Sequence, residues 1–168
     1  CEAFGVTLDL KTSDFANHEF GDVVTKSLVY FDDHINSSQR ILEAWNKGFK
    51  HVCFDDSCGL TGTSERMWPS LPSIFFIMNV DHFSKGDFLT WTKAVYADRT
   101  IMNGRFRLGV RRHVVENRFR ITGEVIALCR EAKSKIKLWG KIPDLNDYIV
   151  TRRSLNSNDS TQHFLVLN

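Results

Sequence analysis

No stretch of this 168-residue chain is apolar for long. The longest nearly apolar run, residues 74–80 with Asn79 inside it, falls far short of the ~20 residues that a membrane-crossing helix requires, so no membrane span is expected. Phosphate-cradling glycine motifs are missing too. Neither Gly-x-Gly-x-x-Gly nor a P-loop occurs, and there is no Gly-x-Ser-x-Gly elbow, which removes common signatures of nucleotide binding and of serine hydrolysis. Cysteine is scarce: Cys1, Cys53, Cys58 and Cys129 are all the chain holds. Cys53 and Cys58, with His51 two residues earlier, invite a metal reading, but zinc sites use a second pair of Cys or His ligands downstream. None follows, so neither a metal nor a cofactor is expected.

What is present suffices for a single core. Hydrophobic residues make up 42% of the chain and charged residues 25%, a balance unlike that of disordered sequences. The length fits one domain, placed at residues 1–150, with residues 151–168 as a partly flexible C-terminal tail. A net charge of +2 hides an asymmetry: residues 99–141 hold twelve Lys or Arg against Glu116, Glu124 and Glu131, a net +9, so the remainder carries −7. Such a split marks either a basic face for an anionic partner or a solvated strand face.

Four cysteines allow three full pairings. A chain that starts at Cys1, without initiator Met or leader, reads as a mature secreted protein, and secretion brings disulfides with it. The expected disulfide is a local Cys53–Cys58 loop or a bridge from one of these two to Cys129 or Cys1, with Cys129 favoured as one cross-link end. The sequons Asn36-Ser37-Ser38 and Asn158-Asp159-Ser160 fit a secreted glycoprotein.

Periodicity predicts a helix over residues 13–35, with Phe20, Val23, Val24, Leu28, Phe31 and Ile35 on its stripe, and a second short helix capped by Ser37 or Ser38 and ended by Gly48. Residues 49–54 read as a strand, 60–71 as a loop, and 74–80 as either strand or helix. Ser84-Lys85-Gly86-Asp87 resembles a capping box opening a third helix through Tyr96. Beyond it, Asn103-Gly104 signals a hairpin. Alternation over 106–115, 119–129 and 135–142 predicts three antiparallel strands linked at Glu116-Asn117 and at 131–134.

Helices followed by a long sheet predict an α+β fold. The order of elements, the segment from Ile41-Leu42-Glu43-Ala44-Trp45 to His51-Val52-Cys53, and the run from Val125-Ile126-Ala127-Leu128-Cys129-Arg130 to Gly140-Lys141-Ile142-Pro143 resemble the nuclear-transport-factor-2-like superfamily, in particular its small secreted nematode branch. That resemblance implies a curved antiparallel sheet wrapped, cone-like, around two to three N-terminal helices, with an apolar pocket at the wide end and dimerisation through the sheet face. The superfamily holds ketosteroid-isomerase-like enzymes, ligand binders and interaction modules, so fold alone does not select a function.

General acid–base chemistry in such a pocket would need a His or carboxylate with a tuned pKa. Tyr30 and Asp33, three apart on the predicted first helix, and His51 on the first strand are the candidates, followed by Asp81-His82 and His113. No paired catalytic constellation stands out. The expected function is therefore a secreted binding or interaction protein, with a small lyase or isomerase as the alternative. Trp139 shares its strand side with Lys135, Lys137 and Lys141, and with Arg107 these form the expected contact surface for a homodimer or an anionic partner. An apolar small molecule in the pocket is the other expected ligand. Nucleic acid is not expected as a partner: single strands would need aromatic residues beside the arginines to stack bases, and Phe106 and Phe119 alternate with them.

Overall fold

The computed structural model describes residues 14–33, 36–55, 60, 71–102, 105–141 and 162–168, the strand residues from 91 to 117 by their backbone alone. The class is α+β, as the pattern of elements predicts. The helix predicted over 13–35 is absent. Its described residues form 3-10 turns at Phe15–Asn17 and Gly21–Lys26, then strand β1, Leu28–Phe31. Gly21 takes a φ of 62°, which interrupts any right-handed helix, and Val29, Tyr30 and Phe31 have the β-branched and aromatic character of a strand. Of the stripe positions, Val24 and Phe31 are buried and Phe20 packs on Phe49 with ring centroids 5.1 Å apart, whereas Val23 and Leu28 are exposed at 60% and 61%. Hydrophobic spacing located core residues and misjudged the backbone carrying them.

Helix α1, Ser37–Asn46, is capped one residue earlier than expected: Asn36 Oδ1 accepts from the backbone N–H of Ser38 at 3.0 Å and of Gln39 at 3.3 Å. The first sequon is thereby folded into a helix cap with Ser37 and Ser38 buried, while the second lies outside the described residues. Gly48, at a φ of 89°, turns the chain out of α1 as predicted and into β2, His51–Phe54. Helix α2, Ile74–Met78, resolves the ambiguous apolar run: Ser73 Oγ caps it by accepting from Phe76 N at 3.1 Å, and Ile74, Phe76 and Ile77 are fully buried.

Residues 84–87 make half of the expected capping box, since Ser84 N–H donates to Asp87 Oδ2 at 2.8 Å. Gly86, at a φ of 102°, sends the chain into a strand instead of a helix. Strand β3, Phe88–Met102, pairs antiparallel with β4, Arg105–Arg120, which runs unbroken through the link expected at Glu116-Asn117. Asn103-Gly104 lies outside the described residues, between the paired Met102 and Arg105. The strand expected over 119–129 is overturned in its larger part by α3, Gly123–Lys135. Thr122 Oγ1 accepts from Val125 N at 3.2 Å, and Ile126, Cys129 and Ala132 recur every third residue on the buried side. Good helix formers follow the cap, with Glu124 in the first turn and Lys133 and Lys135 in the last, each at the helix end that suits its charge.

Strand β5, Ile136–Lys141, is the remaining piece of the expected meander. The expected tail supplies β6, His163–Leu167, which sits between β2 and β5 in a sheet of order β1-β2-β6-β5. β1 and β2 run parallel through the α1 crossover, whereas β6 is antiparallel to both its neighbours. Val52, Phe54, Leu165 and Leu167 from one face of this sheet join Ile41, Ala44, Ile126 and Cys129 of α1 and α3 in the core. Among the described residues there is no long first helix of the kind that the resemblance places inside a cone.

Candidate functional site

The acid–base candidates do not assemble. Tyr30 lies on β1, half exposed, and its hydroxyl donates to Asp55 Oδ2 at 2.5 Å while accepting from Gln162 Nε2 at 3.3 Å. The bond to Asp55, then burial, pushes the phenol well above its ordinary pKa, which keeps it protonated at neutral pH. Asp33 sits beyond β1, where Arg40 Nε donates to it at 2.8 Å. His51 opens β2 and is exposed. Asp81 accepts from Arg130 at 3.0 Å and from Lys133 at 2.7 Å, bonds that lower its pKa, Lys133's first, and tie the 3-10 turn Val80–His82 to α3. The side chain of His113 lies outside the description. Among the described residues no group of three or more His, Cys, Asp or Glu could hold a metal ion, and no helix is long and apolar enough to cross a membrane.

Sequence reasoning missed Arg40, whose side chain is only 3% exposed. It donates to both oxygens of Asp14 at 3.1 and 3.0 Å, to Asp33, and to Glu43 Oε2 at 2.6 Å, with its guanidinium 5.6 Å from the Phe31 ring centroid. The bonds from Arg40 hold the Asp14 carboxyl down to about 2. With its donors spread over three carboxylates, this guanidinium rivets the entering chain to α1. The one signal in the sequence is a charge at position 40, on the helix face that Ser37, Ile41 and Ala44 bury.

The expected disulfide from Cys129 is not formed. Cys53 and Cys129 are buried free thiols, and Cys129 Sγ lies 3.2 Å from Ser38 Oγ at the α1–α3 contact. Burial raises both thiol pKa values, which leaves them in the unreactive protonated form. Cys1 and Cys58 lie outside the described residues.

The expected contact surface is split up. Trp139 is half-buried, packs against the core and stacks on His163 at 5.8 Å, while Leu138 is 55% exposed. A bulge explains the exchange: Ile136 pairs with Leu167 and Leu138 with Val166, so β5 spends two residues on one of β6 and its alternation changes phase. Lys135 belongs to α3 and holds its Nζ 4.0 Å over the Trp45 ring, Lys137 is exposed on β5, and Arg107 is on β4. The other face of the sheet carries Leu28 and Tyr30, exposed at 61% and 49%, across from Leu138.

A different cluster arises from the β3–β4 register. Ala97 pairs with Arg111 and Arg99 with Leu108, so β4 takes three steps to the two of β3, the extra residue falling at Gly109-Val110. The bulge changes the phase of β4, and the odd-numbered Arg105 and Arg107 join the even-numbered Arg112, Arg118 and Arg120 on one face of the ribbon. Arg99 and Arg111 share the other face. Five arginines thus fall in the rows between Tyr96 and Met102, a length of about 20 Å at ~3.4 Å per residue, with Asp98 the acid among them. Among the described elements both strands make their contacts chiefly with each other, and at the base of the hairpin Leu89 is buried and Phe119 packs against the core. Comparison with known proteins yields no matching family model, no matching curated protein and no matching solved structure.

Proposed function

We propose that the protein is an interaction module in which an α+β core presents an arginine-rich β-arm to an anionic partner. The observation that carries this reading is the register of β3 on β4, which gathers Arg99, Arg105, Arg107, Arg111 and Arg112 into the distal rows of one hairpin. Arginine suits such a surface because its charge persists at all working pH values and its planar fork meets phosphates and carboxylates in paired hydrogen bonds. The rival isomerase reading loses support, since Asp33 is committed to Arg40 and Tyr30 to Asp55. The arm reading keeps the basic segment noted in the sequence and moves its focus from Lys135, Lys137 and Trp139 to the hairpin.

Retention on immobilised heparin under a salt gradient tests this directly. The wild-type protein is expected to elute at clearly higher salt than the triple variant Arg105→Gln/Arg107→Gln/Arg112→Gln, whose circular dichroism should match the wild type. Equal elution of the two proteins would refute the proposal.

A further inference from the structure

Building on the arm's role in anion binding, we infer that its partner is duplex nucleic acid, gripped by the sugar–phosphate backbone without base stacking. Three observations separate this partner from an acidic protein. First, the distal arginines occupy both faces of the ribbon: Arg105, Arg107 and Arg112 share one face by register, Arg99 and Arg111 the other. A flat acidic protein surface meets one face of a ribbon, whereas a groove is walled by phosphates on two sides. Second, the arm is narrow and long. Its 15-residue strand β3 extends about 48 Å at ~3.4 Å per residue, and a two-stranded ribbon is one of the elements that the major groove of B-DNA, about 12 Å wide, admits. Third, Thr90, Thr92 and Thr100 share the face of Arg105, Arg107, Arg112, Arg118 and Arg120, and hydroxyl-bearing residues interleaved with arginines are the usual backbone-contacting set.

The acids on the arm are Asp98, opposite the bulge, and Glu116, paired with Thr92. From Phe88 to Arg120 the sequence carries eight Lys or Arg against these two, a net +6. By register Phe106 lies on the face of Arg99 and Arg111, and Tyr96 on that of Arg112; stacking of single-stranded bases there would show as tighter binding of the single strand, whereas duplex affinity comes from phosphate charge.

Fluorescence anisotropy supplies the test, using labelled duplexes of about 20 bp in DNA and in RNA, a single strand of the same length, heparin and polyglutamate as competitors, and the full chain. The expected result is tighter binding to a duplex than to the single strand, with polyglutamate competing poorly. Each lost arginine–phosphate contact lowers the slope of log K against log salt by about 0.9, so changing all five distal arginines to Gln should lower it by roughly 3 to 5. The matching five Arg→Lys changes should keep most of the slope, which guards against loss through misfolding. The DNA and RNA arms decide which duplex geometry is taken. Wild-type binding to heparin and polyglutamate as tight as to either duplex would overturn the duplex inference and leave an anionic partner standing. Absence of binding to every polyanion, or binding unchanged by the five Gln substitutions, would overturn both.

Discussion

Single buried polar residues set several properties of this fold. His163 at the start of β6 is fully buried against Trp139, and burial, followed by the charge of Lys141 across the strand pair, brings its pKa down to about 4. The folded state therefore holds it neutral where the unfolded chain, with an imidazole near 6.5, takes up a proton. Its contribution is complete above pH 6.5 and is lost as pH falls toward 4, at about 1.4 kcal/mol per pH unit and about 3 kcal/mol in all. Urea midpoints measured at pH 7 and pH 4.5 should show that loss, and His163→Phe should flatten it. Asp14 acts in a lower window: held down to about 2 by Arg40, it stabilises the fold above the ordinary carboxylate range and ceases to do so as pH falls through about 2. Neither residue stands out in the sequence. A buried histidine in a strand and an arginine on an apolar helix face look like surface residues until the strand and helix are packed.

At the scale of elements, the turn at Gly48 was legible, whereas the turns at Gly21 and Gly86 and the phase of the strands were not. Gly48, the β2 strand and the Ser84–Asp87 bond follow from local chemistry. The alternation that predicted a strand over 119–129 was read across a helix whose buried residues recur every third position. Two bulges, near Lys137 on β5 and at Gly109-Val110 on β4, each reverse the in–out phase of a strand, and a one-residue slip of this kind is decided by the partner strand. The β5 bulge has a measurable consequence. Trp139→Ala removes a half-buried indole and should cost about 3 kcal/mol, near the low end for aromatic truncation in a core. Leu138→Ala, at an exposed position, should change stability by no more than about 0.5 kcal/mol. Chemical denaturation of the two variants compares them directly, and the unbulged alternation predicts the reverse order.

For the whole molecule, the described residues divide into a packed core and a long paired hairpin. The core closes through long-range pairings: β6 enters between β2 and β5, and Asn168 N–H donates to Lys135 O at 2.9 Å to seal the chain end against α3. Among the described residues the arm is held by its own ladder beyond the Leu89 and Phe119 base. Replacing residues 91–117 by a two-residue Asn-Gly turn should leave the thermal midpoint within a few degrees of the wild type and abolish retention on heparin. A large fall in the midpoint would show that the arm stabilises the core.

By itself the sequence determined the α+β class, the apolar stripe positions Val24, Phe31 and Ile41 that the core buries, a strand within residues 49–54, and the concentration of positive charge after Arg99. These follow from composition and local spacing, which act over a few residues. Only the tertiary structure decided that the segment before Asn36 is a strand, that the last residues form an inner strand, that Trp139 packs inward and that the arginines gather along a hairpin. Each of these depends on which distant segment supplies the partner hydrogen bonds and in what register. Backbone pairing of that kind fixes the phase of a strand and has no local signature in its side chains.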